Sequence, residues 1–211
     1  MSGNRGKSGD RRFLDRVCTP EEKAFIGEFA DHSDRRLWVV WAAKEAAYKA
    51  LAKRDAFIDA VPVQYRTVFH RVVPIAEAAT GRLLSFQGRV QTPAGEAFFQ
   101  ACSTLHHVHC LAVAGGDALP AGIEWCILDL PEGQDPSSWL RRAALEALAR
   151  RLGVPVQRLA ISRFPGPRGK GPPRVLEGSR LLDVDLSLSH DGSYGAYAFL
   201  EEPIPSAMNA C

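Results

Sequence analysis

Several features typical of other protein classes are missing from this sequence of 211 residues. It has no apolar run long enough to span a bilayer, and its N-terminus, Met1-Ser-Gly-Asn-Arg-Gly-Lys-Ser8, lacks the apolar stretch of a signal peptide. Its five cysteines are an odd number without a C-x-x-C pair, which favours reduced thiols over a disulfide framework. A net charge of +2 is too small to indicate nucleic-acid or membrane binding. We therefore predict a cytoplasmic protein.

Two regions of the sequence have helix and strand patterns of their own, and a glycine-rich segment, 115–122, is the best linker candidate between them. Before the linker, Thr19 and Pro20 predict a helix over 20–30, which a second helix and several strands follow. Beyond it, Asp135 predicts the start of a helix that ends at Leu152. The remaining predicted strands cover 124–130, 159–163, 185–189 and 193–201. The sequence thus predicts an α+β fold with two halves, 1–116 and 120–211.

The second predicted helix contains the segment Trp41-Ala-Ala-Lys-Glu-Ala-Ala-Tyr-Lys49, in which a carboxylate lies between two lysines. Glu45 and Lys49 are four residues apart and share a face, while Lys44 lies on the neighbouring strip. A carboxylate flanked by ammonium groups can hold a hydrated Mg²⁺ while the lysines contact phosphate oxygens. The same spacing also fits an ordinary ion pair on a solvated helix, so this segment alone does not decide between the two interpretations.

Two further segments give the helix a context. Leu186-Ser-Leu-Ser-His-Asp-Gly192 carries an S-x-S-H pattern, and residues 12–22 read R-F-x-x-R-V-x-T-P-E-E. Together with the W-x-x-K-E-A-x-x-K helix, these segments resemble the 4′-phosphopantetheinyl transferase superfamily, which includes the holo-acyl-carrier-protein synthases and the surfactin-type enzymes. The resemblance implies a pseudo-dimer of two α+β halves. The lysine helix precedes the Ser-His segment here, so the halves are expected in a permuted order relative to the surfactin type.

The resemblance also implies an activity, which is Mg²⁺-dependent transfer of the phosphopantetheine arm of coenzyme A to a serine of an acyl- or peptidyl-carrier protein. Glu45 corresponds to the family's metal ligand and Lys49 to the lysine at the diphosphate, where it acts as a phosphate clamp or as a base. Lys44 is expected to add a second positive contact. The expected partners are coenzyme A and a carrier protein, with no nucleic acid and no membrane, and the protein is expected to be a monomer.

Other expected contacts with the nucleotide lie in the second half. Ser189 and His190 correspond to residues that bind the 3′-phosphate, although a histidine at a strand end is also commonly satisfied by backbone groups. Arg168 and Lys170 lie in a proline- and glycine-rich loop predicted over 165–173, which resembles the family's G-K-P element with Gly171 inserted. A loop with stray basic residues is an equally fair interpretation of that segment.

One family element is missing, namely a strand with a G-x-D or G-N-D sequence ahead of Arg12, whose aspartate is a metal ligand. Residues 1–12 are polar and are expected to lie loose on the surface, and Asp10 has no strand pattern around it. Our hypothesis is a truncated start. The alternatives are an impaired family member that binds coenzyme A or a carrier protein without catalysis, and an unrelated phosphate-binding domain.

Overall fold

The fold is α+β, and the computed structural model describes residues 6–28, 32–78, 81–167 and 169–201, with the side chains of 74–78, 81–83 and 170 left aside. Within these ranges the chain forms four α-helices and three antiparallel sheets. It divides into two compact units, Met1–Leu119 and Pro120–Cys211. The boundary lies inside the segment 115–122 that the sequence indicates as a linker. No helix in the described ranges is long and apolar enough to cross a membrane.

Three helices open unit 1, which are α1 (Arg11–Val17), α2 (Pro20–Gly27) and α3 (Ser33–Ala52). The predicted capping box at α2 is confirmed, because Thr19 and Glu22 each bind the other's backbone N–H. The expectation of a loose segment up to residue 12 is wrong for the described residues 6–12. Asp10 caps α1, and the Asp34 carboxylate accepts hydrogen bonds from two backbone N–H groups of this segment.

A four-stranded antiparallel sheet follows in unit 1, with strands in the order β1 (Arg66–Ala78), β2 (Gly81–Thr92), β3 (Gly95–Ser103) and β4 (Val108–Ala114). Helix α3 packs on this sheet because its apolar side chains recur at helical spacing. Phe86 and Phe99 of the sheet belong to the same buried cluster as Val39, Ala43, Ala47 and Leu51 of α3. This packing leaves the opposite strip of α3 available for polar side chains.

Unit 2 contains one helix and two sheets. Helix α4 (Pro136–Leu152) begins where predicted, with the Asp135 side chain accepting from the Ser138 N–H at 2.7 Å, and ends at Gly153 with φ of 66°. Its apolar face packs against Leu186 and Phe199. The sheets have the strand orders β5-β10-β9 and β6-β7-β8. Their strands are β5 (Glu124–Asp129), β6 (Leu159–Gly166), β7 (Gly169–Glu177), β8 (Arg180–Leu181), β9 (Val184–Asp191) and β10 (Tyr194–Glu201).

The prediction of a loop over 165–173 is wrong for most of that segment, because β6 extends to Gly166 and β7 begins at Gly169. Pro173 pairs with Arg163 across the two strands. Strand β8 pairs only with Leu176 and Glu177 of β7, so the prolines lie where β7 has a neighbour on one side. At such an edge, a proline whose nitrogen faces away from the paired strand removes no ladder hydrogen bond.

The two units differ in strand arrangement. In unit 2, β5 precedes the helix and pairs with the last strand, β10. In unit 1, no strand precedes α3 within the described ranges, and the last strand, β4, pairs there with β3 alone. The pseudo-dimer suggested by the family resemblance therefore stays a prediction.

Candidate functional site

Helix α3 presents the carboxylate and the second lysine of the motif on its half-exposed strip. The Glu45 side chain is 48% exposed and that of Lys49 is 34% exposed. Their charged groups form a salt bridge of 2.8 Å, as the spacing of four residues predicts. Ala47, between them in the sequence, is fully buried in the core of unit 1. The strip therefore offers one carboxylate and one ammonium group on a helix whose other face is fixed by apolar packing.

Lys44 lies elsewhere, with its side chain only 3% exposed. Its Nζ donates to Glu22 Oε2 at 2.6 Å, to the Val17 carbonyl at 2.7 Å and to the Pro62 carbonyl at 2.9 Å. An ammonium group has three N–H donors, and here all three are used inside the fold. This placement differs from the expectation that Lys44 contacts phosphate, because its charge is already neutralised and shielded from a ligand.

Glu22 is the counterion, and its side chain is 1% exposed. Besides Lys44 it accepts the Thr19 N–H at 2.8 Å and the Thr67 N–H, at the start of β1, at 2.7 Å. The pair thereby provides hydrogen-bond partners for four buried or partly buried backbone groups, which are two carbonyls and two N–H groups. It joins the end of α1, the start of α2, the middle of α3, the 3-10 helix Pro62–Gln64 and the start of β1.

Burial governs the ionisation of the groups around this pair. Desolvation lowers the pKa of Lys44, and the adjacent Glu22 carboxylate opposes that effect. The neighbouring Cys18 is buried, and desolvation raises the pKa of its thiol to about 11. The thiolate is the nucleophilic form, so burial disfavours a reaction of Cys18 at neutral pH. The interior around Lys44 therefore carries a structural ion pair and no candidate nucleophile.

The S-x-S-H segment lies on β9 in unit 2, and with it the two predicted site residues Ser189 and His190. Ser189 and His190 are both exposed, and they pair with Ala196 and Gly195 of β10. Hydrogen bonds from Ser138 lower the pKa of Asp135, and the charge of His190 adds a smaller effect in the same direction. His190 is thus close enough to the N-terminus of α4 to interact electrostatically with it. Arg168 lies outside the described residues, and Lys170 is described only as part of the backbone of β7.

The residues present fit a magnesium ion that is shared between the protein and a substrate phosphate better than one held by protein ligands alone. No cluster of three or more histidine, cysteine, aspartate or glutamate side chains suited to a metal occurs within the described ranges. Asp10, the nearest carboxylate to the missing G-x-D element, accepts from the Phe13 N–H at 3.0 Å, which lowers its pKa. Glu45 therefore remains the candidate ligand. Mg²⁺ is commonly held by one or two carboxylates together with substrate phosphates and water, and one half-exposed carboxylate fits that mode.

The sequence prediction missed the role of Glu22 as the partner of Lys44. The capping-box pattern predicted one of its contacts, the bond from the Thr19 N–H. No local pattern reveals the other two, because Lys44 is 22 residues away and Thr67 is 45 residues away along the chain. The signal available was a lysine directly beside the apolar positions Ala43 and Ala47, which places its stem at the edge of the buried face.

A comparison with known protein families finds a match in unit 1. The family model described as the 4′-phosphopantetheinyl transferase superfamily matches residues 3–80. The matched region contains the three helices of unit 1 and the start of the sheet, and with them Glu22, Lys44, Glu45 and Lys49. No curated protein and no solved structure matches the chain. The match to residues 3–80 confirms the resemblance that the sequence shows in this region.

Proposed function

We propose that this protein transfers the 4′-phosphopantetheine arm of coenzyme A to a serine of an acyl- or peptidyl-carrier protein. The observation that carries the proposal is the Glu45–Lys49 pair, half-exposed on α3 inside the region that matches the superfamily. Its neighbour Lys44 is fixed in the interior, so the two charged groups that remain accessible are a carboxylate and an ammonium. That combination suits a phosphate substrate that shares a cation with the protein.

In the proposed reaction the carrier serine hydroxyl attacks the phosphorus next to the pantetheine arm. The P–O bond to the nucleotide breaks, and adenosine 3′,5′-bisphosphate leaves with the bond's electron pair while the serine proton passes to a base. Lys49 is proposed as a clamp for the diphosphate, because its side chain is partly exposed and an ammonium group can donate to phosphate oxygens. Glu45 would hold Mg²⁺, which when bound neutralises negative charge on the diphosphate.

The contacts in unit 2 are part of the same proposal. Ser189 and His190 are proposed to bind the 3′-phosphate, and the exposure of His190 supports this role because a ligand can reach it. Arg168 and Lys170 are proposed as further contacts with the nucleotide, from the resemblance of their segment alone. A His190→Gln variant should raise the KM for coenzyme A more than it lowers kcat, because it removes a contact far from the reacting phosphorus.

The experiment that tests the function is intact-mass spectrometry of an apo carrier protein after incubation with this chain, coenzyme A and Mg²⁺. We expect a mass gain of one phosphopantetheine group. We expect Glu45→Gln to slow it at least tenfold, since the carboxylate is the proposed metal ligand. Glu146→Gln, at an exposed position of α4, is the matched control and should leave the rate unchanged. No gain with any of several acyl- and peptidyl-carrier proteins would contradict the proposal.

A second candidate is a superfamily member that binds coenzyme A or a carrier protein without catalysis. The observation that favours it is that the described ranges contain no group of three or more potential metal ligands, so the protein by itself offers no complete magnesium site there. Calorimetry with coenzyme A separates the two candidates. Binding without carrier modification supports the second, while binding together with modification supports the transferase.

A further inference from the structure

The buried pair of Lys44 and Glu22 lies directly beside the proposed metal carboxylate, because Lys44 precedes Glu45 in the chain. We propose that Lys44 is a positioning residue, and that its contacts with Glu22 and two carbonyls fix the rotation of α3 and so the direction in which Glu45 points. This inference rests on the proposed function, since it concerns the carboxylate assigned there to Mg²⁺. It assigns Lys44 no contact with substrate.

The ammonium group of Lys44 is held by several segments of the chain at once. Lys44 Nζ has three acceptors within 2.9 Å, which come from α1, α2 and the 3-10 helix Pro62–Gln64. Three acceptors on different segments fix the position of Nζ in three dimensions. Glu22 is held in turn by the N–H groups of Thr19 and Thr67. A shift of α3 about or along its axis would therefore lengthen several hydrogen bonds between groups that water does not reach.

The buried side chains next to Lys44 on α3 are small. Ala43 and Ala47, which flank Lys44, are fully buried and present single methyl groups to the core. The larger buried side chains of α3, which are Leu37, Val39, Val40 and Leu51, lie nearer its ends. Beside Lys44 itself, small side chains alone give little resistance to a small rotation of the helix. The directional bonds of Lys44 supply what the alanines lack. In some proteins, buried polar contacts select one arrangement among several of similar packing energy.

The direction of Glu45 is sensitive to rotation of α3. Successive residues of an α-helix lie about 100° apart around its axis, so fixing Lys44 inward fixes the direction of Glu45. A rotation of about 20° moves a side-chain tip at the outer radius of a helix by about 2 Å. Productive metal and phosphate sites require placement to within about 0.5 Å. Loss of the Lys44 contacts should therefore weaken metal binding even in a protein that remains folded.

The test measures the binding of Mn²⁺, which substitutes for Mg²⁺, to the full chain in the presence of coenzyme A. The electron paramagnetic resonance signal of free Mn²⁺ reports how much of the ion remains unbound. The key variant is Lys44→Met with Glu22→Gln, which removes both charges and so avoids an unpaired buried ion. Lys23→Met is the matched control, because it removes a lysine of α2 whose salt bridge with Asp15, at 2.7 Å, is exposed. Circular dichroism confirms folding at the assay temperature, and Lys44→Met alone is added if it folds.

We expect the double variant to lose at least tenfold in Mn²⁺ affinity, as Glu45→Gln does, while Lys23→Met stays within twofold of the unaltered protein. A purely structural role would lower the melting temperature and leave the affinity of the folded protein unchanged. Full Mn²⁺ affinity in the double variant, with loss in Glu45→Gln, would overturn this inference alone. Affinity that survives Glu45→Gln, or no binding by the unaltered protein, would overturn the magnesium role of Glu45 as well.

Discussion

The long helices of the two units, α3 and α4, both pack an apolar face on antiparallel strands, but they are held in different ways. The buried residues of α4 are all apolar, namely Leu140, Ala144, Ala147 and Leu148. Those of α3 include the charged Lys44 among six apolar residues. The ends differ too, since α4 has a side-chain cap at Asp135 while α3 begins at His32 without one. A helix can thus be positioned by its ends and its apolar face, or by a polar anchor in its middle.

The difference matters for function because of where the proposed site lies. Glu45 and Lys49 project from the middle of α3, within five residues of the anchor at Lys44. The charged residues of α4 lie at its surface, and none is buried. A buried ion pair is costly to desolvate and adds little net stability compared with apolar residues. A buried ion pair involves α3 but not α4, which is consistent with a need to fix the orientation of the long helix in unit 1 alone.

Among substitutions that test the difference between α3 and α4, we expect Glu22→Leu to have the largest effect on stability. The substitution leaves Lys44 buried without its counterion and the Thr67 N–H without an acceptor. We expect the free energy of unfolding to fall by about 3–5 kcal/mol. Urea denaturation followed by circular dichroism measures it, and hydrogen exchange of peptides from unit 1 locates it. The control Lys23→Leu removes a largely exposed pair and should change the free energy by less than about 1 kcal/mol.

Leu148→Ala tests the same difference by removing apolar packing at α4. Leu148 is 1% exposed in the core of unit 2, so the substitution removes buried methyl groups and leaves a cavity. We expect a loss of about 3 kcal/mol in the free energy of unfolding of unit 2. Hydrogen exchange should increase in peptides from β9 and β10, and Mn²⁺ binding through Glu45 should weaken less than in the Lys44 variants. An equal loss of Mn²⁺ affinity would show that stability, not the polar anchor, controls the site.

The smallest expected effect is a dependence of unit 1 on pH through His109 of β4. Burial lowers the pKa of His109 from 6.5 to about 4, and the nearby His107 adds to the shift. As the pH falls, His109 therefore binds a proton in the unfolded chain before it does so in the folded chain. The contribution of neutral His109 to the free energy of unfolding is complete above pH 6.5 and is lost as the pH falls toward 4. Between pH 7 and 4.5 we expect a loss of about 2 kcal/mol in unfolding free energy.

Urea denaturation at the two pH values measures this loss, and His109→Gln should remove most of it because glutamine does not titrate in this range. A pH dependence that persists in His109→Gln would show that other groups of the chain cause it.

Local spacing accounts for the parts of the fold and the site that the sequence predicted. The capping box at Thr19 and Glu22, the start of α4 at Asp135, and the Glu45–Lys49 pair all depend on residues at most four apart. Contacts of this range follow from helix geometry whatever surrounds them. The segment 165–173 was mispredicted as a loop because its glycines and prolines favour turns, whereas pairing with β6 keeps β7 extended.

The sequence by itself determined that the first unit resembles a phosphopantetheinyl transferase and that Glu45 and Lys49 share a helical face. Only the tertiary structure decided that the lysine next to them is internal. Lys44 meets Val17, Glu22 and Pro62 because the chain returns to α3 from both directions, and no pattern within one helix encodes that meeting. The physical reason is the solvation of charge. A lysine is exposed unless distant segments supply acceptors for all three of its protons, and only the folded chain brings those segments together.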